Sequence, residues 1–317
     1  MDDRTLIKAA VLYYEHEMTH EEIAVSLGWS RVRVTRALKE ARNRGLVEFV
    51  IKDPVAPFEY YERAMLAQYE PLGLRSCRIA PSLGDPARTL TGVGRTAAAT
   101  MEEFLPRDGA VAVSMSRAVS ALVNQLTGVA RPDVTIAAAG GSTARTTFDT
   151  SSALAIELAR RLDGHAYTVP GPLRADAQIV AALRKDPDIA DALSVAANAT
   201  HLIVGVGSMN FGGGRTVDTL TPERRDALQR RGAVGDFVSR FIDADAEHVV
   251  DEQDDALLAL TFEQVRAIPH KLVVGAGSEK GAAVQALLSR GQITDLAIDL
   301  SLARTLLATP IRKERTA

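Results

Sequence analysis

One cysteine, Cys77, stands in 317 residues. It excludes an internal disulfide framework and any zinc site built on several thiolates. A reducing compartment is therefore expected, and the protein reads as cytoplasmic. Positive charge is not in excess: 37 Lys and Arg against 40 Asp and Glu give a net −3, so any contact with nucleic acid must be local. No uncharged apolar run reaches the ~18 residues of a membrane-spanning helix. The start, MDDRTLIKAA, lacks an apolar run behind a basic opening, so no secretory signal is expected. Six histidines are present, but no pair has metal-ligand spacing on one face; His16 and His20 are divided by a helix end expected at Met18-Thr19. No metal and no cofactor are expected. What is there, 46% hydrophobic and 24% charged residues, is an ordinary folded chain. At ~100–200 residues per domain it has the length of two domains.

The chain changes character at Asp53-Pro54-Val55-Ala56-Pro57, where two prolines oppose a helix. Before it lie short helices rich in Glu and Arg. The first is expected over Arg4–Glu17, with Leu6, Ile7, Ala10, Val11 and Tyr14 at helical spacing. Thr19-His20-Glu21-Glu22 has the capping-box form, and Gly28 suits the turn that ends this second helix. Ser30 can cap a third helix, Arg31–Arg42. Two short helices around a glycine-containing turn are the helix-turn-helix pattern. On the third helix Val34, Ala37, Leu38 and Ala41 share the inward face. Val32, Arg36, Lys39 and Asn43 point the other way, flanked by Arg33 and Thr35. Residues 30–44 hold Arg31, Arg33, Arg36, Lys39, Arg42 and Arg44 against Glu40 alone, a local +5. Such a concentration suits phosphates, arginine can pair with guanine, and Val32 can touch a thymine methyl. The plainer alternative is a solvated amphipathic helix in a helical hairpin. The capping box, the Gly28 turn, the Ser30 cap and the one-sided arginines together favour DNA. Leu46–Ile51 reads as a strand, giving a winged head.

Beyond residue 58, apolar runs ending in Gly, Ser or Asp alternate with Ala/Leu helices. The runs are 109–114, 134–141, 165–170, 201–208, 271–277 and 296–299. That alternation predicts a doubly wound, mostly parallel α/β sheet, whose ligand sits at the carboxyl ends of the strands. Four such ends carry glycines and hydroxyls: Ser114-Met115-Ser116-Arg117, Gly140-Gly141-Ser142-Thr143, Gly205-Val206-Gly207-Ser208 and Gly275 to Lys280. Backbone N–H groups, hydroxyls and Lys280 there suit a small polar or phosphorylated ligand. Nucleotide motifs fail. Gly92-Val93-Gly94 lacks its third glycine, Gly275-Ala276-Gly277 has Lys280 where a glycine is needed, and no Walker loop exists.

The head motif Met18-Thr19-His20-Glu21-Glu22-Ile23-Ala24, Leu27-Gly28-Trp29-Ser30-Arg31, Val34, Arg36, Leu38, Ala41-Arg42 and Gly45-Leu46-Val47 resembles that of SorC/DeoR-type sugar-responsive transcriptional regulators. Residues 58–310 resemble the sugar-binding domain of the same family, itself related to glucosamine-6-phosphate deaminase and ribose-5-phosphate isomerase. Ser114-Met115-Ser116, Gly140-Gly141, Val204 to Ser208, Gly232 to Asp236 and Gly275 to Lys280 carry that likeness. The resemblance implies that Ser114 and Ser116 receive a sugar phosphate with Gly140 and Gly141 close by. It implies that Asp236 accepts sugar hydroxyls, that Lys280 meets a phosphate or hydroxyl, and that Asp149 falls where members carry a ligand-touching amide. The residues expected at the DNA are Thr19, Ser30, Arg31, Val32, Arg33, Thr35, Arg36 and Lys39. Ala139, where some members have a basic residue, and the acidic Asp149 argue against a doubly phosphorylated ligand.

The expected organisation is a winged helix-turn-helix over 1–53, a linker and coupling helix over 54–72, and an effector domain over 73–317. The segment Phe58–Tyr69 is either that coupling helix or one packed on its own domain. The expected partners are double-stranded operator DNA and a sugar, polyol or sugar phosphate, with the chain a homodimer or homotetramer and no membrane involved. The competing reading is a sugar-phosphate isomerase or deaminase with a DNA-binding head. It lacks a positioned acid/base set: His165, His201 and His270 stand at strand starts, away from the ligand, Asp236 has no partner carboxylate, and Ser114 has no evident base.

Overall fold

The computed structural model describes the chain except residues 48–57, 144–149, 211–215, 252 and 311–317. It divides into two compact units, Met1–Ala56 and Pro57–Ala317.

The first unit holds α1 (Asp3–Tyr14), α2 (His20–Leu27) and α3 (Arg31–Asn43). Each starts on a side-chain cap, which satisfies N–H groups that a helix leaves unpaired. Asp2 accepts from the Thr5 N–H at 2.9 Å, and Ser30 from the Arg33 N–H at 3.2 Å. Thr19 and Glu22 cap reciprocally, the Glu22 carboxylate accepting the Thr19 N–H at 2.7 Å. Gly28 ends α2 at φ +65°, a conformation that costs glycine little. Leu6, Ala9, Ile23, Val34, Ala37, Leu38 and Ala41 meet in one core. α1 stops three residues short of the expected Glu17, which sits at φ +54° outside any right-handed helix. Leu46 and Val47 pack against this core, while the rest of the expected wing, residues 48–51, lies outside the described residues.

The second unit opens with α4 (Glu59–Tyr69), whose Met65 and Tyr69 are fully buried in the main core. The Glu62 carboxylate accepts the Ile79 N–H at 2.9 Å. The helix expected over 58–69 is thus packed on its own domain. Next come β1 (Ser76–Ala80), α5 (Pro86–Ala98), α6 (Met101–Phe104), β2 (Gly109–Val113), α7 (Arg117–Gln125) and β3 (Val134–Ala138). After them follow α8 (Ser151–Leu162), β4 (His165–Tyr167), α9 (Ala177–Leu183), α10 (Pro187–Ala197) and β5 (His201–Val204). A small antiparallel sheet of β6 (Val206–Ser208), β7 (Gly235–Phe237) and β8 (Arg240–Ile242) is joined through α11 (Pro222–Arg230). The chain ends on α12 (Phe262–Ala267), β9 (His270–Gly275), α13 (Gly281–Ser289), β10 (Asp295–Asp299) and α14 (Leu300–Ala308).

Seven strands form one parallel sheet in the order β1-β10-β9-β5-β2-β3-β4. Helices on both faces explain why its strands read as unbroken apolar runs; Val111, Ala112 and Val113 are fully buried, as are Leu202, Ile203 and Val204. The expected run 201–208 is broken at Gly205, β5 staying in the main sheet and β6 leaving for the small one. A Cβ at Gly205 would lie 2.2 Å from the Ser116 hydroxyl, so only glycine lets the two strand ends approach.

Candidate functional site

From β2 the chain winds through β3 to β4 on one side, then crosses back to lay β5, β9 and β10 on the other. The reversal lies between β2 and β5, where the loops diverge and leave a crevice. A cavity of about 720 Å³ opens there. Met115 and Ser116 line it from β2, Gly205 to Gly207 from β5 and β6, and Gly277 and Lys280 from the loop after β9. Leu83, Pro86, Ala87 and Leu90, at the start of α5, form an apolar wall.

Asp236, on β7 opposite Gly207, is buried. Its Oδ2 accepts the Thr216 hydroxyl at 2.9 Å, and its Oδ1 has no hydrogen-bond partner among the described residues. Burial pushes its pKa up, against the pull of Thr216, Lys280, Arg174 and the Ser239 N–H. The β7–β8 turn holds Val238 at φ +51° and Ser239 at φ +63°. Two non-glycine residues in left-handed backbone are strained, the kind of local cost found where a site fixes a side chain. The Lys280 ammonium donates to the Val206 carbonyl at 2.9 Å; burial lowers its pKa, while Glu279 and Asp236 favour its charge. Asp299, ending β10, accepts from the Ser82 hydroxyl at 2.6 Å, the Ser301 hydroxyl at 2.5 Å and the Gly277 N–H at 2.9 Å. Burial alone would raise its pKa, but these donors outweigh it and hold the carboxyl below the usual range.

Of the residues expected at the ligand, the structure brings Ser116, Asp236 and Lys280 to one cavity. The Ser116 hydroxyl also caps α7, accepting the Ala118 N–H at 3.1 Å. Ser114, Gly140 and Gly141 stand elsewhere. Ser114 does not line the cavity: it is buried, its N–H donating to Ile203 at 3.1 Å. Gly140 and Gly141 do not line it either, because Leu258 and Ala259 cover the end of β3. The Gly141 N–H donates to Leu258 at 2.8 Å. Asp149 lies outside the described residues. Asp299, Ser82, Thr216 and the apolar wall were not anticipated. Asp299 closes the apolar run 296–299 and was legible as a strand end. Thr216 comes from a distant loop and has no local signal.

The histidines proposed as structural lie at the opposite ends of the strands. His201 and His270 start adjacent strands with ring centroids 4.7 Å apart. Burial, His270 and Arg75 lower the His201 pKa to about 4. Among the described residues no group of three His, Cys, Asp or Glu could hold a metal ion.

On the head, Val34, Ala37, Leu38 and Ala41 are buried, and Val32, Arg33, Thr35, Arg36 and Lys39 face solvent. Arg31 pairs with Glu21 at 3.1 Å, and Arg44 pairs with both Asp3 and Glu40. Arg33 lies 4.6 Å over the Trp29 ring, and the Thr35 hydroxyl donates to the Arg31 carbonyl at 3.1 Å. Arg36, Lys39 and Arg42 have no ion pair among the described residues, so the positive face centres on them. The Thr19 and Ser30 side chains are occupied as caps.

Residues 63–308 match the family model of a putative sugar-binding domain. The transcriptional regulator LsrR of Enterobacter sp. (strain 638) is 25% identical over 320 residues, 97% of this chain and 94% of that protein. LsrR of Klebsiella pneumoniae is 24% identical over the same shares of the two chains. Among solved structures, the full-length sorbitol operon regulator SorC from Klebsiella pneumoniae is similar with a TM-score of 0.75 at 24% identity, over 97% of this chain and 99% of that one. A domain of a possible sugar-binding transcriptional regulator from Arthrobacter aurescens TC1 gives 0.68 at 23% identity, over 81% and 100%. At such identities the two structures show a shared fold.

Proposed function

The chain belongs to the putative sugar-binding domain family and is a transcriptional regulator of the SorC/DeoR type; from that premise we propose that α3 reads operator DNA under the control of a ligand in the cavity at the β2–β5 reversal. The ligand is a small sugar, polyol or sugar monophosphate. The observation that carries this is the Asp236 Oδ1, buried and without a partner among the described residues, beside the Lys280 ammonium. A buried carboxylate oxygen without a donor is costly, and a ligand hydroxyl supplies the donor. Lys280 then meets a phosphate or a further hydroxyl.

Arg36 and Lys39 carry the DNA contact, Arg36 within reach of base edges and Lys39 on phosphate, with Val32, Arg33 and Thr35 beside them. Arg31 assists once it exchanges Glu21 for phosphate. The regulator acts in the cytoplasm as a homodimer or homotetramer on a roughly palindromic site, and α4 passes the ligand's effect towards the head. Asp236 and Asp299 share the cavity, but Asp299 is engaged by the Ser82 and Ser301 hydroxyls and the Gly277 N–H, and His201 and His270 stand at the far strand ends, which supports binding rather than turnover.

A thermal-shift screen of sugars, polyols and their monophosphates tests the reading. A binder at 100 times its Kd adds ~2.7 kcal/mol of stability. Asp236→Ala is expected to abolish the shift and to leave the ligand-independent unfolding cooperative. The screen returning no shift with any of these ligands would refute the sensor.

A further inference from the structure

We propose that the groove between α5 and α7 is a second saccharide subsite, so that the effector is a two-ring sugar rather than a monosaccharide; this rests on the cavity being the effector site. The groove, about 300 Å³, is lined by Leu90 and Thr91 of α5 and by Arg117, Ser120, Ala121 and Asn124 of α7. The α7 residues fall at i, i+3, i+4 and i+7, one face of the helix. Leu90 and Arg117 also line the main cavity, so the groove continues it past the apolar wall.

Size, charge and chemistry agree. Pockets of ~300–1,000 Å³ enclose drug-sized molecules, and a single hexose is far smaller than the joint space. The lining cations are Arg117 and Lys280, against Asp236, Glu279 and Asp299. Two cations against three carboxylates leave no surplus positive charge for an anionic second unit, so the remaining space takes a neutral group. Ser120, Asn124 and Gln125 offer hydroxyl and amide groups, which both donate to and accept from sugar hydroxyls. Leu83, Pro86 and Leu90 give the carbon face of a ring something to pack on between the two polar regions. The groove's floor is fixed: a Cβ at Gly94 would lie 2.5 Å from the Ala121 carbonyl, so the helices touch there. A rigid groove costs a ligand little in reorganisation.

The full chain is titrated by calorimetry with glucose and glucose 6-phosphate, and with maltose, cellobiose, trehalose and the 6-phosphates of each. At least one disaccharide is expected to bind about tenfold or more tighter than its matched monosaccharide. Ser120→Trp, which fills the groove, and Asn124→Ala, an exposed change that keeps the helix, are each expected to remove that advantage and to leave monosaccharide binding unchanged. Asp236→Ala is expected to weaken both sizes. Monosaccharides binding as tightly as every disaccharide, with Asp236→Ala weakening them, would overturn the second subsite and leave the sensor standing. Ser120→Trp altering oligomeric state but not the disaccharide preference would make the groove a subunit interface and overturn it too. No binding by either size would overturn the subsite, while the sensor reading is decided separately by the wider thermal-shift screen.

Discussion

A carboxyl taken out of water either keeps its proton or carries a charge that its surroundings must support. Asp236 has the Thr216 hydroxyl on one oxygen, while the other makes no well-formed hydrogen bond among the described residues and has only a weak pull from the Ser239 N–H. Its folded pKa lies above the ordinary 3.8, chiefly through burial. The unfolded chain then releases this proton first as pH rises, so the charged group subtracts from stability above the folded pKa, and the loss fades as pH falls towards 3.8. Asp236→Asn is therefore expected to stabilise the protein by ~1–3 kcal/mol near neutral pH, with a gain that shrinks in acid, while ligand affinity falls. Urea unfolding at a series of pH values checks this; a pH-independent gain would mean that the carboxyl is not the strained group. His201 behaves oppositely at the far end of the sheet. Its pKa falls from 6.5 to about 4, so it stays neutral in the fold, and stability is lost as pH drops from 6.5 towards about 4. His201→Gln should flatten that limb of the stability curve; an unchanged slope would assign the acid sensitivity to other groups.

Among the elements, α3 carries the clearest division of labour. Its buried side is Val34, Ala37, Leu38 and Ala41, and its outer side retains Arg36 and Lys39 without intramolecular ion pairs among the described residues. Arg36→Ala is expected to cost ~1–3 kcal/mol on specific DNA, and Lys39→Ala to weaken all sequences evenly and flatten the salt dependence. Binding of upstream genomic fragments by anisotropy at several salt concentrations separates the two, and unchanged affinity in both variants would remove α3 from the DNA. Thr19→Ala is expected to cost the head ~0.5–2 kcal/mol through its cap alone; its thermal melt reads this, and an unaltered melt would contradict the capping role. These features were legible in the sequence because caps, turns and the 3.6-residue period act over a few neighbouring residues. The parallel sheet was legible for the same reason, in its apolar runs. Which strand ends converge was not, because that depends on β5 lying beside β2 while β3 is pushed one place outward. Gly140 and Gly141 looked like Ser116 and Gly205 in local chemistry, yet Leu258 and Ala259 cover them. The short β7–β8 hairpin escaped notice because a Val238-Ser239 turn carries no glycine or asparagine signal.

In the whole molecule two units have separate work. In the proposed function one presents α3 to DNA, and the other encloses a cavity where the winding of its sheet reverses. They form one regulator only if occupancy of the cavity changes the affinity of the head. Such coupling is reciprocal and usually amounts to ~1–3 kcal/mol, or about 5–150-fold. The decisive measurement is the Kd of the wild-type chain for DNA from its own upstream region, with and without a saturating amount of the tightest saccharide from the screen, set beside the same pair for Asp236→Asn. The wild-type Kd is expected to shift by at least about fivefold, with the variant unmoved at the same saccharide concentration. A wild-type Kd that stays the same while calorimetry shows the saccharide bound would contradict a sugar-controlled regulator.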